Sequence, residues 1–102
     1  MKHSKLFIFA IMTTLAVSGC KHQAATYPTD TLTTKNGSQL TITFFKHASL
    51  AIETEGRHIY IDPISQYADY ASLPKADLIL ITHSHYDHLD SAAVAALSTA
   101  PT

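Results

Sequence analysis

The sequence predicts a layered α/β fold, on three patterns. Apolar residues alternate with others at period two through residues 40–61, run unbroken through residues 78–81, and give way to an alanine-rich stretch behind Asp90. Alternation marks half-buried strands, an unbroken apolar run suits a strand covered on both faces, and an aspartate before an alanine-rich segment starts a helix. Several strands, then a buried strand, then a helix make a layered arrangement.

The elements follow in chain order. Around Leu32 one edge strand is expected within otherwise polar, threonine-rich text, and Asn36-Gly37 behind it is a turn signal. Leu40, Ile42 and Phe44 alternate with Thr41 and Thr43, Leu50 and Ile52 with Ala51 and Glu53, and Ile59 and Ile61 with His58 and Tyr60. Each set predicts a half-buried strand, and Glu55-Gly56 is short enough to close a hairpin between the last two. A less regular stretch over residues 65–76 leads into Asp77-Leu78-Ile79-Leu80-Ile81, the strand expected to be covered on both faces. Asp90 is a good N-cap for a helix over residues 91–97, ahead of Pro101.

Upstream of the strands the chain has the layout of an export signal. Lys2 and Lys5 precede the apolar run LFIFAIMTTLAV, and small residues close residues 1–19. Twelve residues are too few to span a bilayer, which takes ~20. Val17-Ser18-Gly19-Cys20 resembles a bacterial lipobox, which implies that Cys20, the one cysteine, becomes the lipidated first residue after cleavage. Lys21 behind it favours the outer membrane over the inner. Residues 20–38 then read as a polar tether, and residues 39–102 as the domain. Without Lys2 and Lys5, five basic residues face eight acidic ones and no basic cluster remains, so nucleic acid is excluded as a partner.

Chemistry concentrates in THSHYDHLD, residues 82–90. Three of the seven histidines, His83, His85 and His88, fall within six positions, with Asp87 beside the last. The segment lies between the apolar strand and the helix, on the strand-end loop where α/β proteins carry their sites. In extended chain His83 and His85 share a face, and a turn at Tyr86 brings Asp87 and His88 to the same hollow. Imidazole and carboxylate are ligands for zinc and related divalent metals, and four such groups in six residues suit two adjacent ions better than one tetrahedral site.

These residues match the H-x-H-x-D-H signature of the metallo-β-lactamase superfamily. The upstream stretch FFKHASLAIETEGRHIYIDP looks like the entry to that fold in the branch of the ascorbate-6-phosphate lactonase and the N-acyl-phosphatidylethanolamine phospholipase D. The resemblance covers about residues 40–97. It implies a two-halved αββα sandwich, of which this chain would be the N-terminal half, truncated: further ligands are expected on later strands, and no histidine follows Leu89. It implies that His83 and His85 serve a first metal site, that Asp87 and His88 serve a second, and that Asp62 braces the metal-binding loop. His47 lies near the site in that branch and is a weaker candidate, because Lys46 replaces the small residue usual before it.

The expected activity is hydrolysis of an ester, lactone or phosphodiester in a small-molecule or lipid substrate, with two zinc ions, or manganese or iron, as cofactor and Asp87 as the catalytic residue. Two alternatives stand beside it: a surface metal-binding module without turnover, and a nonfunctional truncated remnant.

Overall fold

The computed structural model describes residues 26–98. The segment expected to be an export signal, and Cys20, lie outside the described residues. Among the described residues five strands form one sheet in the order β1-β2-β3-β4-β5: β1 Thr29–Thr33, β2 Gln39–Lys46, β3 Ser49–Thr54, β4 Arg57–Ile61 and β5 Leu78–Leu80. The first four pair antiparallel and β5 joins β4 in parallel. A short 3₁₀ turn, Tyr70–Ser72, interrupts the β4–β5 connection, and the helix α1 spans Ser91–Leu97. Among the described residues no helix is long and apolar enough to cross a membrane.

Local chemistry explains the turns. Glu55 and Gly56 both take positive φ, 49° and 73°, the two-residue geometry that suits the right-handed twist of the flanking strands. At the β1–β2 turn Gly37 has φ 86°, and the Thr34 carbonyl accepts its N–H. The edge strand expected around Leu32 is β1, so the sheet begins at Thr29. Helix α1 has the expected bounds. The Asp90 side chain accepts from the Ala92 N–H at 2.9 Å, and its other oxygen accepts from the Ser65 N–H at 2.8 Å. One carboxylate thereby caps the helix and ties it to the loop after β4.

Alternation leaves open which face of the sheet is covered, and the structure decides it. Cross-strand partners share a face, and the row Thr43, Ala51, Tyr60, Ile79 faces the core formed with Ala68, Tyr70, Ala76, Ala93 and Leu97. Phe45, at a bulge in β2, wedges its ring between Tyr27 and Tyr70, and Tyr60 meets Tyr70 edge to face. Such edge-on pairs contribute about 0.5–1.5 kcal/mol each beyond their buried area. The rows Ile42, Ile52, Ile59, Leu78 and Phe44, Leu50, Ile61, Leu80 lie on the opposite face, which no described element covers.

The run at residues 78–81 was expected to be covered on both faces, but Leu78 and Leu80 are 47% and 46% exposed while Ile79 packs on the core. The second apolar layer that its composition calls for is not among the described residues.

Candidate metal centre

The site forms at one end of the sheet, where three segments meet: the β2–β3 turn with His47, the end of β4 with Asp62, and the loop after β5 from Thr82 to Asp90. Among the described residues, two of the three non-glycine residues with positive φ are here, His47 at 54° and Asp62 at 45°. Each such conformation costs roughly 1–3 kcal/mol and persists where its surroundings enforce it.

Asp62 is the hub. It is fully buried, and its carboxylate accepts from the Thr82 N–H at 2.7 Å and the Thr82 hydroxyl at 2.6 Å, with His88 Nδ1 2.8 Å from Oδ2. Burial pushes this carboxyl up, but the hydrogen bonds from Thr82 and His88 outweigh burial and hold it below its ordinary value of 3.8. An ionised Asp62 assigns the His88 proton to Nδ1 and leaves Nε2 with a free lone pair. Because Thr82 Oγ1 donates to Asp62, it accepts from His83 Nδ1, 2.9 Å away, so His83 too presents Nε2 as a lone pair. One carboxylate and one hydroxyl therefore set the tautomers of two histidines.

A helical turn from His85 to Leu89, closed by the His85 carbonyl, swings Asp87 and His88 back toward the strand end. His47 Nε2 then lies 3.3 Å from His88 Nε2 and 3.3 Å from Asp87 Oδ2, and His88 Nε2 lies 3.6 Å from the same oxygen. Each of these three residues offers a ligand atom, all within 4.8 Å of one another. His83 and His85 stand beside this group, with ring centroids 3.9 Å from His88 to His83 and 4.6 Å from His83 to His85. His85 is exposed. The geometry gives His47, the weaker candidate in the sequence, a position in the cluster itself. Thr82 is a residue that sequence reasoning missed, although its place between an apolar strand and the first histidine was a signal.

The donor set fits a divalent cation. A lone pair on His88 Nε2 and an Asp87 carboxylate oxygen converge on one point with His47, an arrangement that calls for a proton or a metal between them.

A sheet whose strand-end loop gathers histidines and carboxylates defines an α/β metal-site domain, and the comparisons with known proteins agree. Residues 41–100 match the beta-lactamase superfamily domain, and the chain belongs to that family. Over 53 residues it is 51% identical to a UPF0173 metal-dependent hydrolase of Flavobacterium johnsoniae, covering 47% of this chain and 24% of that protein. A namesake from Bacillus pumilus is 41% identical over 51 residues, 46% of this chain and 22% of its own length. A crystal structure from Parabacteroides distasonis, assigned by its name to the metal-dependent hydrolases, superposes with a TM-score of 0.72 at 50% identity, over 72% of this chain and 34% of that one. The chain thus spans about a quarter of the length of these curated relatives.

Proposed function

We propose that this domain serves a metal-dependent hydrolase acting on an ester, lactone or phosphodiester. The convergence of His47, Asp87 and His88, with His88 Nδ1 committed to a buried carboxylate, is the observation that carries this reading. His83 and His85 would hold one ion; Asp87 and His88, with His47 beside them, would hold a second. Zinc suits the nitrogen-rich donor set, with manganese or iron as alternatives. Bound there, the metal supplies Lewis acidity toward a carbonyl or phosphoryl oxygen and brings the pKa of a water toward ~7.

The chain's own residues do the rest. Asp62 and Thr82 keep His88 and His83 in the tautomers that leave Nε2 free as a ligand atom. Asp87, about one-third exposed, faces solvent on one side and His47 on the other, and from there it orients a water and accepts its proton. Lipid anchoring at Cys20, with the domain held at the bacterial envelope, rests on the sequence alone and belongs to the same proposal.

In a protein extended to the length of these relatives, Asp87→Asn and His83→Ala separate hydrolysis from metal capture. With metal content measured beside a panel of lactone, ester and phosphodiester substrates, His83→Ala loses first-site metal. Asp87→Asn keeps that metal yet loses about 10²-fold in rate, the scale of a lost general base. An Asp87→Asn protein that hydrolyses at the unsubstituted rate overturns the role of Asp87, and metal uptake with no turnover by the unsubstituted protein leaves the metal-binding module as the correct reading.

A further inference from the structure

Ser49 lies beneath the site and touches none of its ligand atoms, yet it is 1% exposed and its hydroxyl donates to the Asp62 carbonyl at 2.6 Å. The Asp62 N–H is held from the other side by the Leu80 carbonyl of β5 at 2.9 Å. Asp62 is therefore clamped through both of its backbone polar groups, by β3 on one side and β5 on the other. The clamped conformation is the left-handed one, φ 45°, which a residue with a Cβ does not adopt freely.

In that conformation the carboxylate reaches Thr82 and His88. Ser49 is also the first residue of β3, two positions after His47, and it pairs with Lys46 across the two-residue turn in which His47 takes its own positive φ. A single hydroxyl thus joins the turn that carries His47 to the residue that orients His88.

We infer that Ser49 is a positioning residue for the metal centre: its hydrogen bond to the Asp62 carbonyl holds the strained backbone that aims the Asp62 carboxylate at Thr82 and His88. Neither the resemblance noted in the sequence nor the family match assigns it a role. Loss of this bond lets Asp62 relax toward ordinary φ, and the tautomer control of His88 and His83 relaxes with it. The inference rests on the proposed metal site.

The test uses the full chain and the pair Ser49→Thr and Ser49→Val. Both substitutions add the same bulk to a tightly packed position, and they differ in whether a hydroxyl remains. Zinc affinity is measured by competition with a chromophoric chelator, and ligand geometry by the visible absorption of the cobalt-substituted protein. Ser49→Thr is expected to bind zinc at least about tenfold more tightly than Ser49→Val, within the range of outer-shell effects on metal sites, and to keep the cobalt spectrum of the unsubstituted chain while Ser49→Val alters it. Leu97→Ala, which loosens the packing of α1 on the core and removes no hydrogen bond to Asp62, is expected to leave the spectrum unchanged. Equal affinities and spectra for the Thr and Val variants overturn the role of Ser49 alone. An unsubstituted chain that binds no zinc overturns the metal-site reading and this inference with it.

Discussion

At the scale of single residues the site depends on where protons sit. Asp62 has its carboxyl held below the ordinary 3.8, so the unfolded chain binds the proton more readily than the folded one between the two values. Stability from this group is therefore fully present above the ordinary value and is lost as pH falls through the lower folded one. Unfolding followed by circular dichroism is expected to show an acid limb beginning near pH 4, and Asp62→Asn, which has no proton to gain, is expected to flatten it. An acid limb unchanged in Asp62→Asn assigns it to other carboxylates, with Asp90, lowered chiefly by the Ser65 backbone N–H, the first of them. His47 admits a sharper comparison. His47→Ala is expected to weaken zinc binding by about tenfold or more, whereas His58→Ala, whose residue stands in β4 with its backbone bonded to Asp77, leaves it unchanged. Equal effects from the two remove His47 from the cluster.

Among the elements, α1 shows how a short helix comes to matter. Seven residues are too few for a stable isolated helix, and what holds it is the Asp90 cap at one end and the burial of Ala93 and Leu97 on the core. The Leu97 carbonyl also accepts from the Ala76 N–H at 2.8 Å, so the helix is tied to the approach to β5 as well. Asp90→Ala removes the cap and the Ser65 bond together. A lost cap costs about 1 kcal/mol, and the expected outcome is amide exchange in Ala93 to Leu97 faster by roughly fivefold or more, with β2 and β3 unaffected. Exchange that stays unchanged in α1 shows that packing alone sets its stability.

Element by element, much was legible in the sequence. Alternation located β2, β3 and β4, Glu55-Gly56 located their hairpin, Leu32 marked the edge strand, and Asp90 fixed the start of the helix, because each depends on neighbours in the chain. The three-histidine loop was legible for the same reason. His47 was undervalued and Thr82 and Ser49 were missed, since their partners lie 41, 20 and 13 positions away and no local pattern announces such a pairing.

Across the whole molecule the governing fact is a sheet with two apolar faces and one described layer. Tyr60 and Ile79 are covered by the helix side, while Phe44, Leu78 and Leu80 stay more than a third exposed. Apolar patches of this kind drive association. Residues 20–102 by themselves are expected to self-associate with rising concentration and to bind a hydrophobic dye, and Leu80→Lys is expected to reduce both. A monomer at about 100 μM, at which an exposed face of this size would meet partners readily, together with no dye binding, counts against this description of the face.

The sequence by itself determined the strands and their turns, the capped helix and the crowding of three histidines and Asp87 into THSHYDHLD, because periodicity, caps and spacing are properties of near neighbours. Only the tertiary structure decided which face of the sheet meets the helix, since alternation fixes that two faces differ and leaves open which layer covers each. It also decided the hub of the site. The β2–β3 turn, the end of β4 and the loop after β5 are distant in the chain, and only their pairing in one sheet brings Ser49 to Asp62, Asp62 to Thr82 and His88, and His47 to Asp87.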